Sequence, residues 1–123
     1  MKTLVVDSSA VMRRIVTQML AQMGYQNTIQ VDTCSAAFEE LNKGEVDLII
    51  ADRQMTDMCC LEFAKAVRQG PYKDVNLLMM TLDGSLAEVN EARRAGIDKC
   101  VVKPFNFEGL KAGVEFFTVK LQG

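Results

Sequence analysis

Five short apolar runs alternate with five helix-like stretches, and this alternation constrains the fold more than any other feature of the chain. The runs are Thr3–Val6, Thr28–Val31, Val46–Ala51, Leu77–Met80 and Cys100–Val102. The second is the weakest; the other four are nearly unbroken Leu, Ile, Val and Met. A strand that reads as continuously apolar is one buried on both faces, as in a parallel sheet covered by helices. Between the runs the apolar period changes from a block to one of 3–4 residues. From Ser9, Met12, Ile15, Val16, Met19, Leu20 and Met23 form an i, i+3, i+4, i+7 stripe, with Ser8 or Ser9 as N-cap and Gly24 as stop. Further helices are expected over Ser35–Leu41, Cys60–Arg68 and Ser85–Ala95, and a last one carries Leu110, Gly113, Val114, Phe117 and Leu121 on one face. A β-α unit repeated five times predicts an α/β fold: a five-stranded parallel sheet, order 2-1-3-4-5, with helices on both faces.

At 123 residues the chain suits one domain with a core large enough to need no disulfide or metal staple. The net charge of −2 gives no reason to expect nucleic acid or an anionic membrane as partner. No apolar run is long enough to span a bilayer. The start of the chain does not read as a signal peptide, so a cytoplasmic location is expected, with Cys34, Cys59, Cys60 and Cys100 as reduced thiols. Adjacent Cys59 and Cys60 could pair only through a strained ring, so a redox role is the weaker reading. There is no histidine, which leaves oxygen and sulfur as metal ligands.

The four strong strands end in chemistry: Val6-Asp7, Ala51-Asp52, Met80-Thr81 and Val102-Lys103-Pro104. In open α/β sheets, sites form beyond the carboxyl ends of the strands. Any one of these residues could be ordinary loop chemistry. Together they bring two carboxylates, a hydroxyl and an ammonium to one rim. Two carboxylates repel unless a positive charge lies between them. Lys103 is one such charge; a hard, oxygen-preferring cation such as Mg²⁺ is another. A carboxylate beside both is set up to attack phosphorus and form an aspartyl phosphate.

The stretches VVDSSAVMRRIV, LIIADRQM, LLMMT and VVKPF, with the spacings between them, resemble the receiver domain of two-component response regulators, most closely the stand-alone chemotaxis type. The resemblance covers essentially the whole chain. It implies the flavodoxin-like receiver fold, a single receiver domain over residues 1–123 and no output domain. It also implies a signalling phosphoacceptor rather than an enzyme, with at most assistance to its own phosphotransfer and dephosphorylation. By this resemblance Asp52 matches the phosphoacceptor and Asp7 the first of the acids that gather Mg²⁺. The backbone carbonyl of Gln54 matches a third metal ligand. Thr81 and Lys103 match the phosphoryl-binding switch pair, and Lys103-Pro104 falls where the family often has a cis peptide. The implied partners are a histidine kinase or phosphotransfer protein and a downstream effector docking on the helix 4–strand 5–helix 5 face.

Five positions depart from the pattern. Ser8 replaces the second acid and lowers the charge of the metal site, whether it is a further ligand or only a helix cap. Thr56 replaces a proline, and Cys60 a glycine, which changes the expected loop shape. Leu82 is bulky where the residue is usually small and narrows access to Asp52. Cys100 replaces an aromatic that reports activation. These departures define the rival reading, a pseudo-receiver that binds protein independently of phosphorylation. Retention of Asp7, Asp52, Thr81 and Lys103 favours the phosphoacceptor.

Overall fold

A computed structural model describes residues 1–72 and 74–122. The chain alternates strand and helix throughout: β1 (Thr3–Val6), α1 (Ala10–Gln22), β2 (Thr28–Val31), α2 (Cys34–Asn42), β3 (Leu48–Asp52), α3 (Cys60–Gln69), β4 (Asn76–Thr81), α4 (Leu86–Ala95), β5 (Lys99–Val102) and α5 (Phe107–Gln122). The pairings between these strands are parallel and the order is β2-β1-β3-β4-β5, the α/β architecture expected from the sequence.

The period of two along each strand divides the apolar side chains between two cores. Leu4, Val6, Ile49, Ala51, Leu77 and Met79 face α2, α3 and α4, meeting Ala37, Leu41, Phe63, Ala64, Val67 and Ala92. Val5, Leu48, Ile50, Leu78 and Met80 face the other way, against Val16 and Leu20 of α1 and Leu110, Val114 and Phe117 of α5. The three central strands are therefore apolar on both faces, whereas edge strand β2 is only half-buried and reads weakly. Gly113 lets α5 lie close on the sheet, since a Cβ there would stand 2.9 Å from Val101 Cγ2. The side chain of Leu121, expected on the same face, lies outside the described residues.

Local chemistry sets the boundaries. Ser9, Thr33 and Ser85 each accept a hydrogen bond from the backbone N–H three residues on, and so open α1, α2 and α4. The α1 cap is thus Ser9, not Ser8. Strand β3 begins at Leu48, two residues later than the apolar run, because the Asp47 carboxylate turns back to accept the Lys2 N–H at 2.8 Å. Left-handed Gly96, φ 109°, ends α4.

Candidate functional site

The register aligns the strand ends. Val6 lies opposite Ala51, Asp52 opposite Met80, and Thr81 opposite Val102, so the next residues of β1, β3, β4 and β5 all emerge at one rim. Asp7 is almost fully buried at 1% exposure, and Thr81 is buried at 2%. Lys103 Nζ reaches Asp52 Oδ1 at 2.6 Å and Asp7 Oδ2 at 3.4 Å. The other Asp7 oxygen accepts the Ser9 N–H at 2.8 Å. One ammonium therefore bridges two carboxylates, the arrangement that offsets their mutual repulsion. Lys103–Pro104 is cis.

The remaining sequence-singled positions are spread around this centre. Ser8, Gln54 and Thr56 are exposed. Leu82 is 81% exposed, so it stands at the rim of the pocket that contains Asp52 and points largely into water. Cys60 is fully buried as the first residue of α3, following an extended Cys59, and no residue of this loop has a positive φ. Burial raises the Cys60 thiol pKa and pushes that of Cys34 up to about 12, the latter helped by Asp57. Cys100 is half-buried and is raised by burial and by Glu88. All four cysteines are free thiols. Thiols held in the protonated form are poor nucleophiles, which speaks against a redox centre at Cys60.

The structure adds groups that the sequence reading did not single out. Asp52, Thr81 and Lys103 share a pocket of about 360 Å³ with Arg53 and Glu88. Arg53 Nε donates to Glu88 Oε1 at 2.8 Å, and Thr81 Oγ1 approaches the same oxygen at 3.4 Å. Burial opposes the charge on Arg53, but Glu88 and neighbouring Cys59 more than offset it, and its pKa is raised. Its Nη1 is buried without a hydrogen-bond partner. Asp57, from the loop after β3, accepts the N–H groups of Cys34 and Ser35 at 3.1 and 2.9 Å and so adds a second cap to α2. Its desolvation is outweighed by these backbone donors, which hold its carboxyl below the ordinary range.

The donors at the rim suit a hard cation in kind: the carboxylates of Asp7 and Asp52 meet there, Gln54 lines the same pocket as Asp52, and no nitrogen or thiolate is required. Among the described residues no three acidic or cysteine side chains cluster as metal ligands. An ion here would thus meet two carboxylates, with Lys103 competing for both.

The description "Response regulator receiver domain" belongs to the family whose sequence model matches residues 3–115. Curated relatives include a "Chemotaxis protein CheY homolog" of Campylobacter jejuni, 38% identical over 94% of this chain and 90% of the relative. "Chemotaxis protein CheY" of Pseudomonas aeruginosa is 33% identical over the full length of both. Among solved structures, the chemotaxis response regulator CheY4 of Vibrio cholerae superposes with a TM-score of 0.88 at 33% identity, covering 94% of this chain and 97% of the other.

Proposed function

The chain belongs to the response regulator receiver domain family, and from that premise we propose that it is a phosphoacceptor in two-component signalling, with Asp52 as the residue modified. The observation that carries this reading is the 2.6 Å contact between Lys103 Nζ and Asp52 Oδ1, beside buried Asp7 and Thr81. An Asp52 oxygen attacks the phosphorus of a phosphohistidine on a histidine kinase or phosphotransfer protein. The O–P bond forms as the N–P bond breaks, and the imidazole leaves with the bonding pair. A small acyl phosphate serves equally, with a carboxylate leaving. Lys103 neutralises the incoming phosphoryl oxygens, and the Thr81 hydroxyl donates to one of them. Asp7, Asp52 and the Gln54 carbonyl would hold Mg²⁺, with Ser8 beside them as a further neutral oxygen, and the bound ion would supply charge neutralisation at those phosphoryl oxygens. Ser8 in place of an acid weakens that ion's hold. The signal leaves through a protein partner on the face of α4, β5 and α5, in the cytoplasm. Among the described residues no helix is long and apolar enough to cross a membrane.

One observation favours the pseudo-receiver: among the described residues no three acidic side chains gather as metal ligands, so an ion would be held by two carboxylates without a third. Incubation with acetyl phosphate, with and without Mg²⁺, separates the two readings. Mg²⁺-dependent gain of one phosphoryl mass supports the phosphoacceptor. No gain from acetyl phosphate or from any histidine-kinase donor tried leaves the binding module.

A further inference from the structure

We propose that Glu88 and Arg53 form a clasp that holds the Thr81 hydroxyl in its resting position and sets how readily the pocket admits a phosphoryl group. This rests on the phosphoacceptor reading above.

The starting point is a local pattern left incomplete. Ser85-Leu86-Ala87-Glu88 has the form of a capping box, in which the glutamate should bend back to the N–H of the cap residue. Only half of the box forms. Ser85 accepts from the Glu88 N–H at 3.2 Å. The Ser85 N–H, however, donates to Asp83 Oδ1 at 2.9 Å. Asp83 therefore relieves Glu88 of its local task. The Glu88 side chain turns inward to 13% exposure, where it meets Arg53 at 22%.

The pair joins two elements that phosphorylation would treat differently. Arg53 directly follows Asp52 and is fixed to the sheet, its N–H donating to Met80 O at 2.8 Å. Glu88 lies in the first turn of α4. The Glu88 oxygen that takes the Arg53 hydrogen bond is also the one that Thr81 approaches. The other acceptor within reach of that hydroxyl is the Asp83 carbonyl, at 3.5 Å. An ionised acceptor is the stronger of the two. To donate to a phosphoryl oxygen on Asp52, Thr81 must leave Glu88.

The same carboxylate is a like charge facing any phosphoryl group that enters. Arg53 offsets it and keeps a buried Nη1 donor unused. Glu88 is thus a positioning residue for the resting state and Arg53 its counterweight. Removing the glutamate alone leaves a free guanidinium in the pocket; removing the arginine alone leaves a free carboxylate. The two changes act in opposite directions, which a merely structural ion pair would not show.

The test uses the full chain with methyl-labelled threonine. In unphosphorylated protein, Glu88→Gln should move the Thr81 methyl resonance away from its parent position, while Arg53→Lys, which keeps the charge, leaves it in place. With acetyl phosphate and Mg²⁺, Glu88→Gln should be labelled roughly three- to tenfold faster than the parent, Arg53→Gln slower by a similar factor, and the double variant near the parent rate. An unchanged Thr81 resonance in Glu88→Gln overturns the clasp. So do rate changes of the same sign in the two single variants. If the parent takes up no phosphoryl group, the phosphoacceptor reading fails, and the Thr81 resonance alone decides whether the clasp exists.

Discussion

The two ends of the sheet carry similar charged groups in different states of engagement. At the amino end, Arg68 of α3 donates to Gly96 O from Nε and Nη2 at 3.0 and 2.8 Å, to Val75 O at 2.5 Å and to Asp98 Oδ2 at 2.9 Å. Asp98 in turn accepts the Leu77 N–H at 2.9 Å. Arg68 and Asp98 each have fixed partners, and the network ties α3 to the β4 and β5 approaches. The hollow beside it, about 430 Å³, is larger than the pocket at the other end. Its Arg68 and Asp98 are already satisfied, so size does not mark the chemistry. At the carboxyl end one lysine serves two carboxylates at unequal distances, one glutamate oxygen serves an arginine and a threonine, and a buried arginine nitrogen serves nothing. The first arrangement holds a fold. The second shares one donor between two acceptors and one acceptor between two donors.

The largest expected effect tests the amino end. Arg68→Ala strips donors from two backbone carbonyls and a carboxylate, and should lower unfolding free energy by roughly 2–4 kcal/mol in urea titration. Phosphoryl uptake by the folded fraction should be unchanged; loss of uptake would erase the division between the two ends. Next is the site itself. Lys103→Met leaves Asp7 and Asp52 facing each other, and should cost about 1–3 kcal/mol, since one partner is buried. Asp52→Asn leaves Lys103 paired one-to-one with Asp7 and should change stability far less, or raise it. Equal losses in the two variants would mean that Lys103 is not balancing a pair.

A smaller effect is expected at Ser8. Ser8→Asp adds a third carboxylate, which should tighten Mg²⁺ binding about tenfold in calorimetry and lower the melting temperature without the ion. No change in affinity would place residue 8 outside the ion's reach. The smallest effect concerns Asp57. Because its carboxyl is held below the ordinary range, the unfolded chain takes up that proton first on acidification. Its contribution is complete above the usual carboxylate pKa of about 4 and is lost as pH falls through the lower folded value. Asp57→Asn should therefore be less stable than the parent at neutral pH, by under ~1 kcal/mol for so exposed a group, with the gap closing toward acid pH. A gap that widens instead would show that Asp57 is not held as an anion.

The strands and the central residues of the rim were legible because one signal, a buried apolar run broken by a polar residue, marks both. Asp7, Asp52, Thr81 and Lys103 all fall at such breaks. Edge strand β2 reads weakly because it is only half-buried. Glu88 was hidden because its local pattern points elsewhere. A serine followed three residues later by a glutamate says capping box, and only the competing Asp83 carboxylate, a matter of loop geometry, redirects it. Arg53 was hidden for a related reason: an arginine after a strand reads as solvated, and its ion pair spans 35 residues. The choice between Ser8 and Ser9 as helix cap likewise depended on a single backbone turn.

The most direct test of the phosphoacceptor account is to place the label. The parent, Asp52→Asn, Asp47→Asn and Asp57→Asn are incubated with acetyl phosphate and Mg²⁺, and each intact mass is read. The expected result is one added phosphoryl group in the parent, Asp47→Asn and Asp57→Asn, and none in Asp52→Asn. An undiminished phosphoryl mass in Asp52→Asn would contradict the account, because the carboxylate that Lys103 approaches at 2.6 Å would then not be the one that reacts.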